Sequence, residues 1–138
     1  MNYFLPQTTH EQGAWFFNPN LPIFQGFRLT HQPSPWIGDY AWCLITPIIG
    51  EVASSDLFRR QSSYSMKEAV FQPHYLRIFS ERYQIQSELV PSRYGAVMRF
   101  RAPEKLTLCF HAAKELEDLT LTDQTCHFRI LDQAHTTD

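Results

Sequence analysis

From Gln72 to the C-terminal end, apolar side chains recur at every second position, and that habit restricts the chain more than any other feature. Alternation sends successive side chains to opposite faces of an extended backbone, so it describes half-buried strands and argues against amphipathic helices, whose apolar positions recur every three to four residues. Leu76 and Ile78 alternate with Tyr75, Arg77 and Phe79, and Ile85 and Leu89 with Gln84, Gln86 and Glu88. Ala96, Met98 and Phe100 oppose Val97, Arg99 and Arg101; Leu106, Leu108 and Phe110 oppose Lys105, Thr107 and His111. One apolar face and one wet face is the antiparallel habit. The connectors Ser80-Glu81-Arg82, Pro91-Ser92-Arg93 and Ala102-Pro103-Glu104 suit hairpin turns, and Leu119 and Leu121, then Cys126, Phe128 and Ile130, repeat the alternation across Thr122-Asp123-Gln124. This stretch reads as a β-meander.

The first half is less regular. Ile23 to Leu29 and Tyr40 to Thr46 are strand-like and flank a Pro-containing segment, while only Ser65 to Phe71 and Ala112 to Asp118 suggest short helices. Seven or eight short strands with no βαβ rhythm predict an all-β protein, a two-layer antiparallel β-sandwich. At 138 residues, without a linker or low-complexity tract, residues 1–138 are read as a single domain. Its eleven Phe, six Tyr and three Trp fit a β-rich core, with Phe4, Trp15, Phe16 and Phe17 assigned to core and edge packing, and its nine Pro fit punctuated loops.

Charge narrows the partners. The net charge is −2 with signs interleaved, so there is no basic stripe for nucleic acid or for an anionic membrane surface. Cys43, Cys109 and Cys126 form an odd set without a C-x-x-C pair, which points away from a disulfide framework or a thiolate zinc site. With no apolar run of membrane-spanning length and no signal-like start, a cytoplasmic location is expected.

Catalytic signatures are missing: no metalloprotease helix, phosphate-binding Gly loop, dinucleotide fingerprint or nucleophile elbow occurs. His111 and His127 are placed at outward strand positions, and Glu115, Glu117 and Asp118 read as a solvated acidic turn. The exception is the segment from Thr30 to Tyr40, where His31, Gln32, Trp36 and Asp39 lie between two strands. A pyranose offers an apolar C–H face that can lie on an indole and hydroxyls that need donors and acceptors. Trp36 suits the first requirement, and His31, Gln32 and Asp39 suit the second. The other reading is a crossover stiffened by Pro33 and Pro35, with Trp36 capping the core and Asp39 holding the turn; composition alone favours this structural reading.

The same segment carries a resemblance. Gly26-Phe27-Arg28-Leu29-Thr30-His31-Gln32-Pro33-Ser34-Pro35-Trp36-Ile37-Gly38-Asp39-Tyr40, followed by Leu44 to Pro47, resembles the signature of the N-terminal β-sandwich domain of glycoside hydrolase family 92, calcium-dependent inverting exo-α-mannosidases. Colinear similarities reinforce it: Pro6-Gln7-Thr8 with Gly13-Ala14-Trp15-Phe16, Ser62-Ser63-Tyr64-Ser65 with Glu68-Ala69 and Pro73-His74-Tyr75, Ile85-Gln86-Ser87-Glu88-Leu89, and the Arg99-Phe100 strand. Agreement in order over about a hundred residues is far more specific than one short motif.

The resemblance implies that the chain is a partial sandwich, incomplete at both ends, without the family's (α/α)₆ catalytic barrel. It implies mannoside contact by Trp36, His31, Asp39 and Gln32, with no catalytic residue and no metal ligand assigned here. An inverting glycosidase needs two carboxyl groups about 6.5–9.5 Å apart, and Asp39 is the segment's one carboxylate. No cofactor is assigned to this chain; calcium is implied for the intact family enzyme, and no Asp-rich oxygen-ligand loop occurs. The expectation is therefore an N-terminal domain or fragment of an α-mannosidase-like hydrolase, inactive alone. Its alternative is a free-standing carbohydrate-binding or oligomerisation module, and its partners would be a mannoside, a separate catalytic chain or a second copy.

Overall fold

The computed structural model describes residues 3–8, 17–30, 43–52, 54–112 and 116–130. Among them, two four-stranded antiparallel sheets form the body of the protein. The first has the order β1 (Tyr3–Gln7), β3 (Gly26–Thr30), β4 (Cys43–Ile49), β10 (Leu106–Ala112). The second is a true meander of β6 (Val70–Gln72), β7 (Tyr75–Ser80), β8 (Ile85–Pro91) and β9 (Ala96–Arg101). Two small pairs complete the set: β2 (Ile23–Phe24) with β5 (Ser62–Ser63), and β11 (Leu116–Leu121) with β12 (Cys126–Ile130). The one described helix is α1 (Leu57–Arg60). No helix among the described residues is long and apolar enough to cross a membrane.

The sheets meet through a core that draws on both. Phe27 from β3 packs with Phe24, Tyr64, Ile78 and Leu89, and Phe4, Leu76, Met98 and Phe100 close around them. Alternation explains the contribution of the meander. Leu76, Leu89 and Met98 stand in one register row and turn inward, while Arg77, Glu88 and Arg99 form the next row and turn outward. Phe24 and Phe27 meet edge-on at 5.1 Å between centroids, and Phe17 adds a tilted contact with Phe71 at 4.5 Å. The expected core roles of Phe4 and Phe17 are thus met; Trp15 and Phe16 lie outside the described residues.

The all-β antiparallel architecture agrees with the alternation, but several local expectations are corrected. Ser65 to Phe71 is a turn at Met66 to Glu68 leading into β6, and helix α1 forms instead just upstream. Residues 116–118 of the second expected helix belong to β11. In both places strand pairing supplies backbone hydrogen bonds that a single helical turn would not exceed, because helix nucleation is costly in so short a segment. The strand expected from Ile23 to Leu29 breaks at Gln25, with Gly26 at φ +145°. Ala102-Pro103-Glu104 is no hairpin turn, since β9 ends one sheet and β10 joins the other.

β10 also departs from the one-faced pattern. Cys109 is 6% exposed whereas Leu108 is 39% exposed, and His111 is half-buried rather than outward. The cause lies in its neighbour: Cys43, Leu44, Thr46, Pro47 and Ile48 of β4 are all buried, so both faces of this sheet are covered there and alternation no longer separates inside from outside. Glu117 and Asp118 are exposed on β11, with Asp118 3.4 Å from Arg129; Glu115 lies outside the described residues.

Candidate functional site

The frame of the Thr30 to Tyr40 segment is set by β3 and β4. These strands are antiparallel neighbours, with Phe27 opposite Ile45, Arg28 opposite Leu44 and Leu29 opposite Cys43. The segment's two described flanks, Thr30 and Cys43, are therefore held side by side at one end of the sheet. His31, Gln32, Trp36 and Asp39 lie outside the described residues.

Toward the opposite end of β3, where Gln7 pairs with Gly26, the sheet is polar and buried. Gln7 donates from Nε2 to Gln25 Oε1 at 2.9 Å and accepts at Oε1 from Arg28 Nη1 at 3.1 Å; Gln25 passes the chain on by donating to Gln61 Oε1 at 3.1 Å. Gln7, Gln25 and Arg28 are each almost fully buried, where an unmet polar group is costly, so these bonds lock the strands in one arrangement. Gly26 makes the close approach here. A Cβ at this position would lie 2.5 Å from the Ile45 carbonyl oxygen and 2.8 Å from Thr46 Oγ1, and that hydroxyl donates to the Gln25 carbonyl at 2.6 Å. Only glycine combines this space with a φ of +145°.

Titratable chemistry outside the segment is structural in character. Glu88 on β8 accepts from Arg99 Nε at 2.6 Å and Nη2 at 2.9 Å, and from the Tyr75 hydroxyl at 2.6 Å. Those donors, Arg99 first and Tyr75 second, hold its carboxyl down to about 2. A carboxylate kept ionised in this way does not serve as a general acid near neutrality. Burial pushes the Cys43 thiol up to about 11, against a smaller opposing effect from the His111 backbone, so it is not a nucleophile at neutral pH. Among the described residues no three His, Cys, Asp or Glu side chains gather as a metal centre would require.

Sequence reasoning missed two clefts. One, of about 470 Å³, is mainly apolar and opens between β10 and the β11–β12 pair, where Phe110 meets Phe128 at 5.5 Å. The other, about 580 Å³, collects Arg59, Arg60 and Arg82 beside Tyr83 and Glu51, near the Ile48–Ile49 end of β4. Its one sequence signal is the Arg59-Arg60 pair. Arg82 lies more than twenty positions away, and only folding brings it there.

Comparison with known proteins bears on what this frame belongs to. Residues 1–136 match the family described as the glycosyl hydrolase family 92 N-terminal domain. Among solved structures, the family GH92 inverting mannosidase BT2199 from Bacteroides thetaiotaomicron VPI-5482 is 30% identical with a TM-score of 0.67, over 81% of this chain and 15% of that one. The chain thus spans less than a fifth of the length of that relative. No curated protein matches. With the family matched over nearly its whole length and its sheets superposing on a solved member, the chain belongs to the glycosyl hydrolase family 92 N-terminal domain family.

Proposed function

We propose that this chain supplies the sugar-contacting segment of an α-mannosidase-like glycoside hydrolase, and that the catalytic acid and base come from outside it. Trp36 provides the face on which a mannose ring lies, and His31, Gln32 and Asp39 provide hydrogen bonds to its hydroxyls. The observation that carries this reading is family membership together with the β3–β4 pairing, which anchors both flanks of the segment on a sheet locked by the Gln7–Gln25–Arg28 bonds. Binding groups on a loop fixed to a rigid sheet is a common division of labour between scaffold and site. Asp39 alone cannot both protonate a leaving oxygen and activate water on the opposite face of the ring. Calcium, in this reading, acts in the part of the enzyme that carries the catalytic pair.

Calorimetric titration with mannose and short manno-oligosaccharides tests binding. Affinity on the order of millimolar, about 4 kcal/mol, is expected, with loss on Trp36→Ala. An assay with an aryl α-mannoside should show no turnover by the chain alone; turnover abolished by Asp39→Asn would overturn the non-catalytic assignment. A second reading, an association module, is favoured by one observation: Leu119 and Leu121 are 55% and 68% exposed beside the apolar cleft. Light scattering separates the two, since an association module would be oligomeric at micromolar concentration.

A further inference from the structure

The three arginines of the second cleft are brought together by independent local devices. Asp56 caps α1 by accepting from the Phe58 backbone N–H at 2.9 Å, and buried Leu57 pins the turn, which leaves Arg59 and Arg60 in its last turn. Arg82 arrives from the β7–β8 turn. Its backbone N–H donates to Ser62 Oγ at 2.9 Å, and its Nη1 donates to the Arg59 and Gln61 carbonyls at 2.5 and 3.3 Å. Tyr83 follows, with the Arg82 guanidinium 5.2 Å from its ring centre.

The charge of this cluster is largely unanswered. Arg82 and Arg60 are hydrogen-bonded to neutral carbonyls, the latter from Nη2 to Ser55 O at 3.1 Å, and neither has a carboxylate within ion-pair distance among the described residues. Arg59 has Asp56 at 3.7 Å, an exposed pair of little strength. Arg60 is only 6% exposed, yet among the described residues its Nε–H has no acceptor. An orphaned donor on a buried guanidinium is a costly exception that asks for a ligand. Among the described residues Glu51 is the one carboxylate on the cleft wall, so cations there outnumber it three to one.

We infer that this cleft is an oxyanion site, in which a phosphate or sulfate group lies along the Arg60 guanidinium edge between Arg59 and Arg82. The planar fork of arginine matches tetrahedral oxyanions in two-point fashion, and the excess of positive charge suits a dianion better than a single carboxylate. A cleft of about 580 Å³ has room for a small molecule bearing the group as well as for the free ion. The site lies at the opposite end of β4 from the Thr30 to Tyr40 segment, so it stands independently of sugar contact there.

Side-chain ¹⁵N NMR of the arginine Nε–H groups provides the test, by titration with inorganic phosphate, sulfate and methyl phosphate against acetate at equal ionic strength. Saturable movement of the Arg60 signal with the tetrahedral ions at roughly millimolar concentration is expected. Methyl phosphate equal to or tighter than inorganic phosphate indicates a phosphate ester as the natural source; marked weakening indicates the free ion. Both support the site. Arg82→Gln and Arg59→Gln alter exposed side chains and should each weaken binding by about tenfold, while Glu51→Gln should tighten it. A response to acetate equal to that for phosphate, a linear response without saturation, or indifference to Arg82→Gln would overturn the assignment.

Discussion

Glu88 and Arg99 face each other across the β8–β9 register, and the carboxylate takes both the Nε and the Nη2 of the guanidinium, at 2.6 and 2.9 Å. Although Glu88 lies on the outward row of the meander, its side chain is only 8% exposed, because Arg99 covers one side and Tyr75 donates to the other. This clamp fixes the register of two strands whose inward partners, Leu89 and Met98, belong to the core.

The clamp predicts an acid response. An ordinary glutamate titrates near 4.5 and this one near 2, so the folded state binds the proton less readily than the unfolded chain. Its stabilisation is complete above about 4.5 and is lost as pH falls toward 2. Thermal melts at a series of pH values should show the midpoint falling through that window. In Glu88→Gln the midpoint should be lower at neutral pH and the fall within the window shallower; an unchanged slope would disprove the assignment.

Gly26→Ala tests the close approach of β3 to β4 at the end of β3 away from the segment. The methyl group would meet the Ile45 carbonyl at 2.5 Å in a backbone conformation that side chains avoid, so a loss of about 2–4 kcal/mol is expected by urea denaturation.

Gln7→Leu should be nearly as harmful despite adding apolar bulk. It withdraws a donor from Gln25 and an acceptor from Arg28, both buried, at a cost of about 2–3 kcal/mol. A double-mutant cycle with Gln25→Leu should show coupling between the two positions, because the two side chains share the Gln7 Nε2 to Gln25 Oε1 bond.

Thiol chemistry should be selective. Cys126 is exposed, whereas Cys43 and Cys109 are buried and Cys43 is pushed up to about 11. At pH 8 the Cys43 thiolate would be only about one part in a thousand. Brief alkylation of the native protein followed by peptide mass mapping should label Cys126 alone, and denaturation should open all three.

Core and surface should separate cleanly in a conservative pair. Ile78→Val removes one methylene from a side chain that is 0% exposed and should cost about 0.5–1.5 kcal/mol. Val97, on β9 of the same sheet and 72% exposed, should tolerate Thr within about 0.5 kcal/mol.

What was legible in the residues and what was not divides along a physical line. The strands β7, β8 and β9, their inward rows and the polar turns between them follow from alternation, since the direction of a side chain on a strand depends only on its neighbours in sequence. The family signature around Thr30 to Tyr40 is equally a property of the linear chain. Pairing is another matter. That β10 leaves the meander for β4, that 116–118 extend a strand and form no helix, and that Arg82 reaches Arg59 and Arg60 depend on contacts between residues far apart in the chain. The burial of Glu88 and the orphaned Nε of Arg60 exist only once those contacts have formed. Local pattern specifies which segments of the meander extend and which of their faces are apolar; which strands share a sheet and where charge is concentrated follow from long-range packing, which selects among partners that local pattern leaves equivalent.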